Sequence, residues 1–359
     1  MKIAVFSYGL PVPGEKRGGI ERVAHALSDG LARRGHRVVV FSHDPKPAGA
    51  AYDVHELPWK SFVSTWLGRR VTMGYLGNIL AVQPDYREFD VLMAHGDSLL
   101  LRFKGKPVVR VMHGSALQEA LHASSPGRFV LQCGVYVQEL LTAMFESGTV
   151  AVSDNARRSN PFIHRVIANG VDTRVFRPMP VEKTPFPSIA FVGALDGRKR
   201  GRFLLDVFSR LIRPVHPTAA LMFVGSQGPA MPGVTYYTGV DDRQLASLYR
   251  RAWVYASPST YEGFGLPYLE AMACGTAVVA APNPGSLEVL ADGRYGKVAS
   301  PDEFGAALLQ LLGDSDGRLA LEVSGLQRAT HFSLSAMVDQ YETLLSELTC
   351  SHARSIASA

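Results

Sequence analysis

Two glutamates, Glu262 and Glu270, lie eight positions apart around a glycine-containing segment in the second half of the chain. The residues that follow the first of them are Gly263-Phe264-Gly265-Leu266-Pro267. Two glycines so close together allow positive φ angles and a close approach of the backbone to a ligand. A carboxylate accepts hydrogen bonds from hydroxyl groups, and the N–H groups at the start of a helix bind phosphate oxygens. These residue types therefore suit a ligand that carries hydroxyl groups and a diphosphate.

The flanking residues predict a strand before this segment and a helix after it. Residues 252–256 form an apolar run that is typical of a buried strand in a parallel sheet. Pro267 is favoured as a first helical residue and Gly275 as a helix stop, so a helix is predicted over residues 267–274. Glu270 then falls in the first helical turn, where the helix dipole favours a carboxylate.

This segment resembles the Glu-x7-Glu motif of the retaining family 4 glycosyltransferases, which often reads E-G-F-G-L-P-x-x-E. A bare pair of glutamates would more often cap a helix or lie on the surface, but the strand-to-helix context favours the functional interpretation. In that family the first glutamate and the backbone after it hold the hydroxyls of the donor sugar, and the second glutamate binds the nucleotide ribose. The resemblance therefore implies that the donor is bound by Glu262, Gly263, Phe264, Gly265, Leu266 and Glu270.

The N-terminal residues predict a βαβ unit with a glycine-rich first turn. Strands are predicted over residues 2–8 and 36–41, with a helix over residues 20–34 between them. The turn lacks the G-x-G-x-x-G pattern of dinucleotide enzymes, which argues against a dehydrogenase. In the resembling family a Gly-Gly loop at this place faces the donor diphosphate and the acceptor. Gly18 and Gly19 match that loop, and a plain tight turn is the alternative.

Two further predicted strands each end in His-Gly, at His95 and at His113. Open α/β sheets bind their ligands at the carboxyl ends of the strands. The family has a histidine at the second of these places, where it contacts the donor sugar. The resemblance therefore implies that His113 is a catalytic residue, whereas His95 is expected to be structural or to lie on the acceptor side.

Three adjacent cations, Arg198, Lys199 and Arg200, follow a strand that is predicted to end at Gly193. The resemblance implies that Gly193 also contacts the donor. The three cations would neutralise a diphosphate, and arginine can do so with two hydrogen bonds. The family usually has G-R-L here, with a later lysine just before a glycine. In this chain Ala194 replaces the arginine and Arg200 stands where the lysine is common, so the phosphate role of each cation is left open. A solvated charge run is the alternative.

Two more segments bear on ligand and metal binding. Gly239 and Val240 lie in a segment that resembles the one whose backbone meets the nucleotide base in the family. Residues 314–316 read Asp-Ser-Asp, like the metal-binding Asp-x-Asp of other transferases, but their distance from any predicted strand end favours a turn. No metal and no cofactor are therefore expected, and the nucleotide sugar is a substrate.

The length of 359 residues favours two domains. A proline-rich linker follows residue 177, so the predicted domains are residues 1–180 and 186–330. In the family the last helix, predicted here over residues 332–349, folds back onto the first domain, and residues 350–359 are expected to be frayed. The implied fold class is α/β, with two Rossmann-like doubly wound domains facing each other across a cleft (the GT-B type).

Composition and charge bear on location and partners. There is no apolar stretch approaching the roughly 18 residues of a membrane span, no signal peptide is recognised, and three scattered cysteines suggest no disulfide framework. A cytoplasmic protein is expected. Residues 1–185 hold 23 Lys and Arg against 16 Asp and Glu, whereas residues 186–359 hold 14 against 16. A basic first half suits an anionic acceptor or a membrane surface, and no nucleic-acid partner is expected.

A segment over residues 59–82 mixes aromatic side chains with Arg69 and Arg70. Such a mixture would suit peripheral contact with the inner membrane face and a lipid-linked acceptor. A helix packed on its own domain is the alternative.

The reaction that the resemblance implies is transfer of a hexosyl group with retention of anomeric configuration. The expected sugar is of the glucose, N-acetylglucosamine or mannose type, its carrier is expected to be UDP, and the acceptor is a hydroxyl of a glycan, glycolipid or metabolite. No second carboxylate presents itself as a covalent nucleophile, which favours a front-face mechanism in which the leaving diphosphate takes the acceptor proton. The alternatives are a nucleotide-sugar-binding partner subunit without catalysis and a sugar isomerase or phosphorylase of the same fold.

Overall fold

The computed structural model describes residues 1–12, 18–57, 77–96, 98–121, 125–146, 148–180 and 183–358. The chain forms two compact units. The first unit contains the chain up to Asn169, apart from a short piece near residue 15, together with Leu334–Ala359. The second unit contains Gly170–Ser333. Each unit holds one β-sheet, and the strand pairs of both sheets are parallel.

The first unit has a seven-stranded sheet in the order β3-β2-β1-β4-β5-β6-β7. Its strands are β1 (Lys2–Phe6), β2 (Arg37–Ser42), β3 (Asp53–Glu56), β4 (Val91–Ala94), β5 (Val108–Met112), β6 (Gly148–Ala151) and β7 (Arg165–Val166). Its helices among the described residues up to residue 158 are α1 (Gly19–Arg33), α2 (Gly77–Ala81), α3 (Ala116–Leu121), α4 (Pro126–Phe145) and α5 (Asp154–Arg158), and a 3₁₀ helix spans Leu101–Lys104. The strand order reverses between β1 and β4, as in doubly wound Rossmann-like folds.

The second unit has a six-stranded sheet in the order β10-β9-β8-β11-β12-β13. Its strands are β8 (Ser188–Gly193), β9 (Ala220–Gly225), β10 (Val234–Tyr237), β11 (Val254–Ser257), β12 (Ala277–Ala280) and β13 (Lys297–Val298). Its helices are α6 (Gly201–Val207), which continues through a π turn into α7 (Arg213–Val215), then α8 (Asp242–Arg251), α9 (Leu266–Ala273), α10 (Pro284–Leu290), α11 (Phe304–Gly313) and α12 (Ser315–Thr330). Here the order reverses between β8 and β11.

The two sheets are buried because helices cover both faces, and this explains their continuous apolar strands. In the second unit Ile189, Phe191 and Phe223 are fully buried, and the two phenylalanine rings lie 4.5 Å apart. Ile3 and Val5 of the central strand β1 are fully buried in the first unit. The predicted α/β class with two doubly wound parallel sheets is confirmed.

The last helix, α13 (Leu334–Ala357), follows the second unit in sequence but belongs to the first. It packs closely on α1, where a Cβ on Gly30 would lie 2.6 Å from Val338 Cγ2. Arg34 also binds Glu342 at 2.8 Å. The expectation that residues 350–359 are frayed is wrong, since the helix continues to Ala357. The segment contains neither glycine nor proline, and the helix-favouring Ala353 and Arg354 lie among its polar residues.

Candidate active site

The loop between β11 and α9 has the predicted strand-to-helix geometry. The helix begins at Leu266, one residue before the prediction, and Pro267 therefore occupies its second position. Gly265 is the N-cap residue with φ of +101°, and a Cβ there would lie 2.4 Å from the Tyr268 ring. Only glycine fits this position. Gly263 and Phe264 complete the loop, and the ring of Phe264 is buried against Phe332.

Glu262 is buried and is bound by two of the three predicted cations. Its carboxylate accepts a hydrogen bond of 2.5 Å from Lys199 Nζ and one of 2.8 Å from Arg198. Burial by itself would raise the pKa of Glu262, but the charges and hydrogen bonds of Lys199 and Arg198 outweigh it and lower the pKa. The group is therefore an ionised carboxylate at neutral pH, able to accept hydrogen bonds from hydroxyls.

The Glu262 cluster, which consists of Glu262, Arg198 and Lys199, lies where the strand order of the second sheet reverses. The cations follow β8 and the glutamate follows β11, and these strands are neighbours in the sheet. The N–H of Thr260 donates to the carbonyl of Arg198 at 2.9 Å and so joins the two loops directly. Open α/β sheets bind ligands at such a reversal, outside the carboxyl ends of the strands.

Arg200 does not join this cluster. Its guanidinium lies over the Phe203 ring at 4.3 Å, and its backbone is left-handed with φ of +53°. Arg200 is the N-cap residue of α6. Its side chain therefore lies apart from the carboxylate that Arg198 and Lys199 bind.

Gly193, at the end of β8, lies close to the side chains of Phe191 and Lys199. A Cβ at this position would lie 2.8 Å from Phe191 Cζ and 3.0 Å from Lys199 Cβ. A second glycine, Gly225 at the end of β9, has φ of +133°, and a Cβ on it would lie 2.2 Å from the Gly193 carbonyl oxygen. Both strand ends therefore require glycine.

Glu270 is almost fully buried and lies in the second turn of α9. The expectation that it occupies the first turn is wrong, because the helix starts at Leu266 and not at Pro267. Its carboxylate accepts a hydrogen bond of 3.3 Å from the hydroxyl of Tyr249 on α8. Its predicted contact with a ribose stays a prediction.

Two residues that the sequence did not single out hold the Glu262 loop. Asn283 caps α10 and also donates from Nδ2 to the Ser259 carbonyl at 3.0 Å. The N–H of Gly285 donates to the Glu262 carbonyl at 3.1 Å, and a Cβ on Gly285 would lie 2.6 Å from the Phe264 carbonyl oxygen. The pattern Asn-Pro-x-Ser before a helix is a capping signal that could have identified Asn283. The close approach of Gly285 to the Phe264 carbonyl has no corresponding pattern in the sequence.

The other predicted donor-binding glycines also lie next to helix starts. Gly239 has φ of +66° and is followed by Val240 and by Asp241, whose side chain caps α8 and accepts from the Gln244 N–H at 2.7 Å. In the first unit Gly18 is the N-cap residue of α1 and Gly19 its first residue, so the N-cap position itself offers no side chain to the helix. Their contacts with a donor stay predictions.

In the first unit the structure pairs the two histidines that follow β4 and β5. His95 Nδ1 lies 2.8 Å from His113 Nε2, and the rings stack with their centroids 5.1 Å apart. His95 Nε2 is buried, and no described residue offers it a hydrogen-bond partner. Burial lowers the pKa of His113 to about 4 and that of His95 well below its ordinary value. Both rings are neutral at pH 7, so the shared hydrogen bond couples their tautomers: one of the two nitrogens carries the proton and donates, and the other accepts.

Some predictions fall outside this geometry. Arg69 and Arg70, with most of the segment over residues 59–82, lie outside the described residues. Asp314 is the N-cap residue of α12 and accepts a hydrogen bond of 2.9 Å from the Gly317 N–H, in place of the predicted turn.

Within the described parts of the chain, no group of three or more His, Cys, Asp and Glu side chains is arranged to hold a metal ion. None of the described helices is both long and apolar enough to span a membrane.

Comparison with known families matches both units. The family model "Glycosyl transferases group 1" matches residues 186–314, and the model "Glycosyltransferase Family 4" matches residues 17–175. Together they cover about four fifths of the chain. Among relatives, a phosphatidyl-myo-inositol mannosyltransferase of Mycobacterium tuberculosis is 28% identical over 379 aligned positions, which cover 93% of this chain and 91% of that protein.

Solved structures resemble the whole chain. A sucrose-phosphate synthase from Thermosynechococcus elongatus has a TM-score of 0.79 at 20% identity and covers 98% of this chain and 99% of its own. Anabaena HepE in complex with UDP and glucose has a TM-score of 0.75 at 19% identity and covers 97% of this chain and 100% of its own. At these identities the likeness establishes the fold, which is that of the GT-B glycosyltransferases.

Proposed function

The chain belongs to the family 4 glycosyltransferases, and we propose that it transfers a hexosyl group from a nucleotide diphosphate sugar to a hydroxyl of an acceptor, with retention of anomeric configuration. The observation that carries this proposal is the Glu262 carboxylate, held by Lys199 and Arg198 where the strand order of the second sheet reverses. The presence of UDP and glucose in the Anabaena HepE structure supports a nucleotide sugar as donor and UDP as its nucleotide.

In the proposed donor complex the ligand diphosphate contacts Arg198 and Lys199. The backbone N–H groups at the start of α9 add hydrogen-bond donors next to the Gly265 turn. Glu262 accepts hydrogen bonds from the sugar hydroxyls, and Glu270 is proposed to bind the ribose. Charged groups make shorter and stronger hydrogen bonds than neutral ones, so this arrangement fixes the sugar relative to its leaving group.

The transfer breaks the bond between the anomeric carbon and the diphosphate oxygen. A bond from the acceptor oxygen to the same carbon forms on the same face of the sugar, and the acceptor proton passes to the departing diphosphate. Negative charge develops on that diphosphate, and Arg198 and Lys199 are placed to stabilise it. Arg200 is proposed to be dispensable for this step because its guanidinium lies over Phe203.

His113 is proposed to contact the donor sugar as a neutral imidazole. Its lowered pKa means that it offers one N–H donor or one lone pair rather than a positive charge. Which of these the Nδ1 atom of His113 presents is coupled to the tautomer of His95 through the hydrogen bond between the two rings. A hydroxyl group of a sugar can satisfy either form.

The proposed acceptor class rests on a relative and not on residues of the site. One relative is named for mannosyl transfer to phosphatidyl-myo-inositol. A lipid-linked hydroxyl is therefore proposed as the first acceptor class to test, with mannose among the sugars. Peripheral contact with the inner membrane face and a cytoplasmic location accompany that proposal.

The test is release of nucleoside diphosphate from a panel of nucleotide sugars, with and without acceptors. Lys199→Ala should lower turnover by about 10²-fold or more, whereas the adjacent Arg200→Ala should change it by less than about threefold. Added chelator should leave turnover unchanged, since no metal is proposed. NMR of the product should show the anomeric configuration of the donor.

Other outcomes would contradict the proposal. Tight donor binding without any hydrolysis or transfer would point to a binding subunit. A product that forms without an acceptor, as an isomer or a sugar phosphate, would point to an isomerase or a phosphorylase.

A further inference from the structure

Helix α4 (Pro126–Phe145) directs apolar side chains to solvent and polar ones to the protein. Six of its apolar residues are each at least 40% exposed: Phe129, Val130, Val137, Leu141, Met144 and Phe145. At 3.6 residues per turn they fall within about 160° of the helix circumference. The buried side instead carries Glu139, Thr142 and the small residue Ala143. An ordinary surface helix has the opposite polarity, with its apolar stripe toward the core.

Glu139 explains how this orientation is held. Its carboxylate accepts a hydrogen bond of 3.2 Å from the N–H of Ala116 at the start of α3. Its carbonyl accepts from Arg110 on β5 at 3.3 Å and from Asn160 at 3.1 Å. These buried polar contacts fix the inner side of the helix, so its apolar side stays outward.

The exposed surface continues beyond the helix. Phe103, in the 3₁₀ helix Leu101–Lys104, is 74% exposed. The guanidinium of Arg102 lies 4.5 Å from the Phe145 ring centroid and 5.4 Å from that of Phe103. Val137 and Leu141 also line a groove of about 310 Å³ with residues of α2 and of the segment before the 3₁₀ helix. We call the six exposed residues of α4 together with Phe103 the α4 face.

The charges around the α4 face are complementary to an anionic partner. Helix α4 and the 3₁₀ helix together contain four charged residues: Arg102, Lys104, Arg128 and Glu139. The acidic one among them is buried, so each exposed charge on these two elements is positive. Glu119 of the neighbouring helix α3 pairs with Arg128 at 3.6 Å, so the positive charge of the face comes mainly from Arg102 and Lys104. A second copy of this chain would place cations against cations. An anionic lipid surface instead attracts cations and accepts aromatic and aliphatic side chains at its boundary.

We propose that the α4 face docks on a membrane surface that carries anionic phospholipids. The apolar side chains enter the boundary between headgroups and acyl chains, and Arg102 lies at the level of the headgroup phosphates. The link to a lipid-linked acceptor rests on the proposed function, but the docking itself requires no sugar chemistry. Contiguous exposed apolar patches of this kind mark interaction sites in proteins.

The test is flotation of the full-length chain with vesicles. One set contains phosphatidylcholine alone, and the other contains equimolar phosphatidylcholine and phosphatidylglycerol. The variant Val137→Ser/Leu141→Ser/Phe145→Ser removes the centre of the α4 face. Leu319→Ser/Val323→Ser is the matched control, because these residues of α12 are similarly exposed, at 58% and 50%.

Wild type and the α12 control should float with the anionic vesicles, and high salt should weaken this binding. The α4 variant should bind at least about tenfold more weakly. Equal binding by the α4 variant, no binding by the wild type, or equal binding to both vesicle types would overturn the proposal. So would a wild-type dimer in sedimentation that the α4 substitutions dissociate, since the face would then be covered by a second copy.

Donor turnover separates this inference from the proposed function. None of the substituted residues belongs to the Glu262 cluster or to the histidine pair, so release of nucleoside diphosphate with a water-soluble acceptor should persist in the α4 variant. Turnover without vesicle binding would overturn the docking alone. Vesicle binding without turnover of any nucleotide sugar would overturn the proposed function alone.

Discussion

Replacing Glu262 by glutamine should tighten the binding of a nucleoside diphosphate while it weakens sugar transfer. The carboxylate binds Lys199 at 2.5 Å and Arg198 at 2.8 Å. A diphosphate that contacts the same cations must share them with this buried negative charge and is repelled by it. Glutamine removes the charge and keeps one oxygen that can accept a hydrogen bond from Lys199. Arg198 still donates to the Tyr261 carbonyl at 2.6 Å, so it stays close to the loop.

The magnitude follows from the distances and exposures. A phosphate in contact with both cations would lie about 6 Å from the carboxylate, where two unit charges interact by about 2.8 kcal/mol at an effective dielectric constant of about 20. Arg198 is 51% exposed, so solvent screening reduces this to roughly 1.4 kcal/mol, which is about tenfold in Kd. Transfer should fall by about 10²-fold, because the amide loses the charge-assisted hydrogen bonds to the sugar.

Isothermal titration of UDP into the two proteins at low salt measures the first effect. Asp196→Asn is the matched control. It removes one negative charge from the loop that carries Arg198 and Lys199, where the side chain of Asp196 is 71% exposed and pairs with Arg202. Its effect on the Kd of UDP should stay below about threefold. If Glu262→Gln binds UDP as weakly as the wild type, or more weakly, the cations are not shared between carboxylate and diphosphate and the reasoning fails.

Three further predictions concern the loop and the histidine pair. Gly285→Ala should lower turnover by about 10²-fold, because its Cβ would clash with two backbone carbonyls of the Glu262 loop. Gly313→Ala is the control, because that glycine has open space around it, and it should leave turnover unchanged. His95→Phe should reduce kcat/KM about tenfold and change the tautomer signals of His113 in ¹⁵N NMR, an effect that a purely structural role would not produce. Because burial lowers the pKa of both histidines, stability should be fully present above about pH 6.5 and should fall toward pH 4 by up to about 1.4 kcal/mol per pH unit for each ring. Urea unfolding across this range measures the slope, and His95→Phe should remove its own share.

Local rules were sufficient for the elements that carry the site. The apolar run before residue 257, the proline near the helix start and Gly275 after its end predicted β11 and α9 to within about one or two residues. The single-residue difference still mattered for Glu270, which moved from the first helical turn to the second. Composition was a poorer guide at the C-terminus, where small polar residues continue α13 up to Ala357.

The sequence alone could not predict which loops contact each other, because such contacts depend on which strands are neighbours in the sheet. Arg198 and Lys199 precede Glu262 by more than 60 positions, and β9 and β10 lie between them along the chain. They meet because β8 pairs with β11 in the sheet. The sequence showed three cations and two glutamates without indicating that two of the cations bind one of the glutamates. Their predicted role as phosphate ligands therefore implies that a phosphate would compete with the Glu262 carboxylate for them.

The contact between His95 and His113 also depends on which strands are neighbours in the sheet. His95 and His113 each follow the last residue of a strand, so the sequence placed both at carboxyl ends, but it assigned them separate roles. The sheet pairs β4 with β5, with Ala94 opposite Arg110, and this brings the two imidazoles to 2.8 Å. Once the strand order is known, two histidines that leave adjacent parallel strands at the same edge must be considered together. A neutral ring whose tautomer is coupled to that of a buried neighbour differs chemically from an isolated histidine, and that difference comes from the sheet and not from the motif.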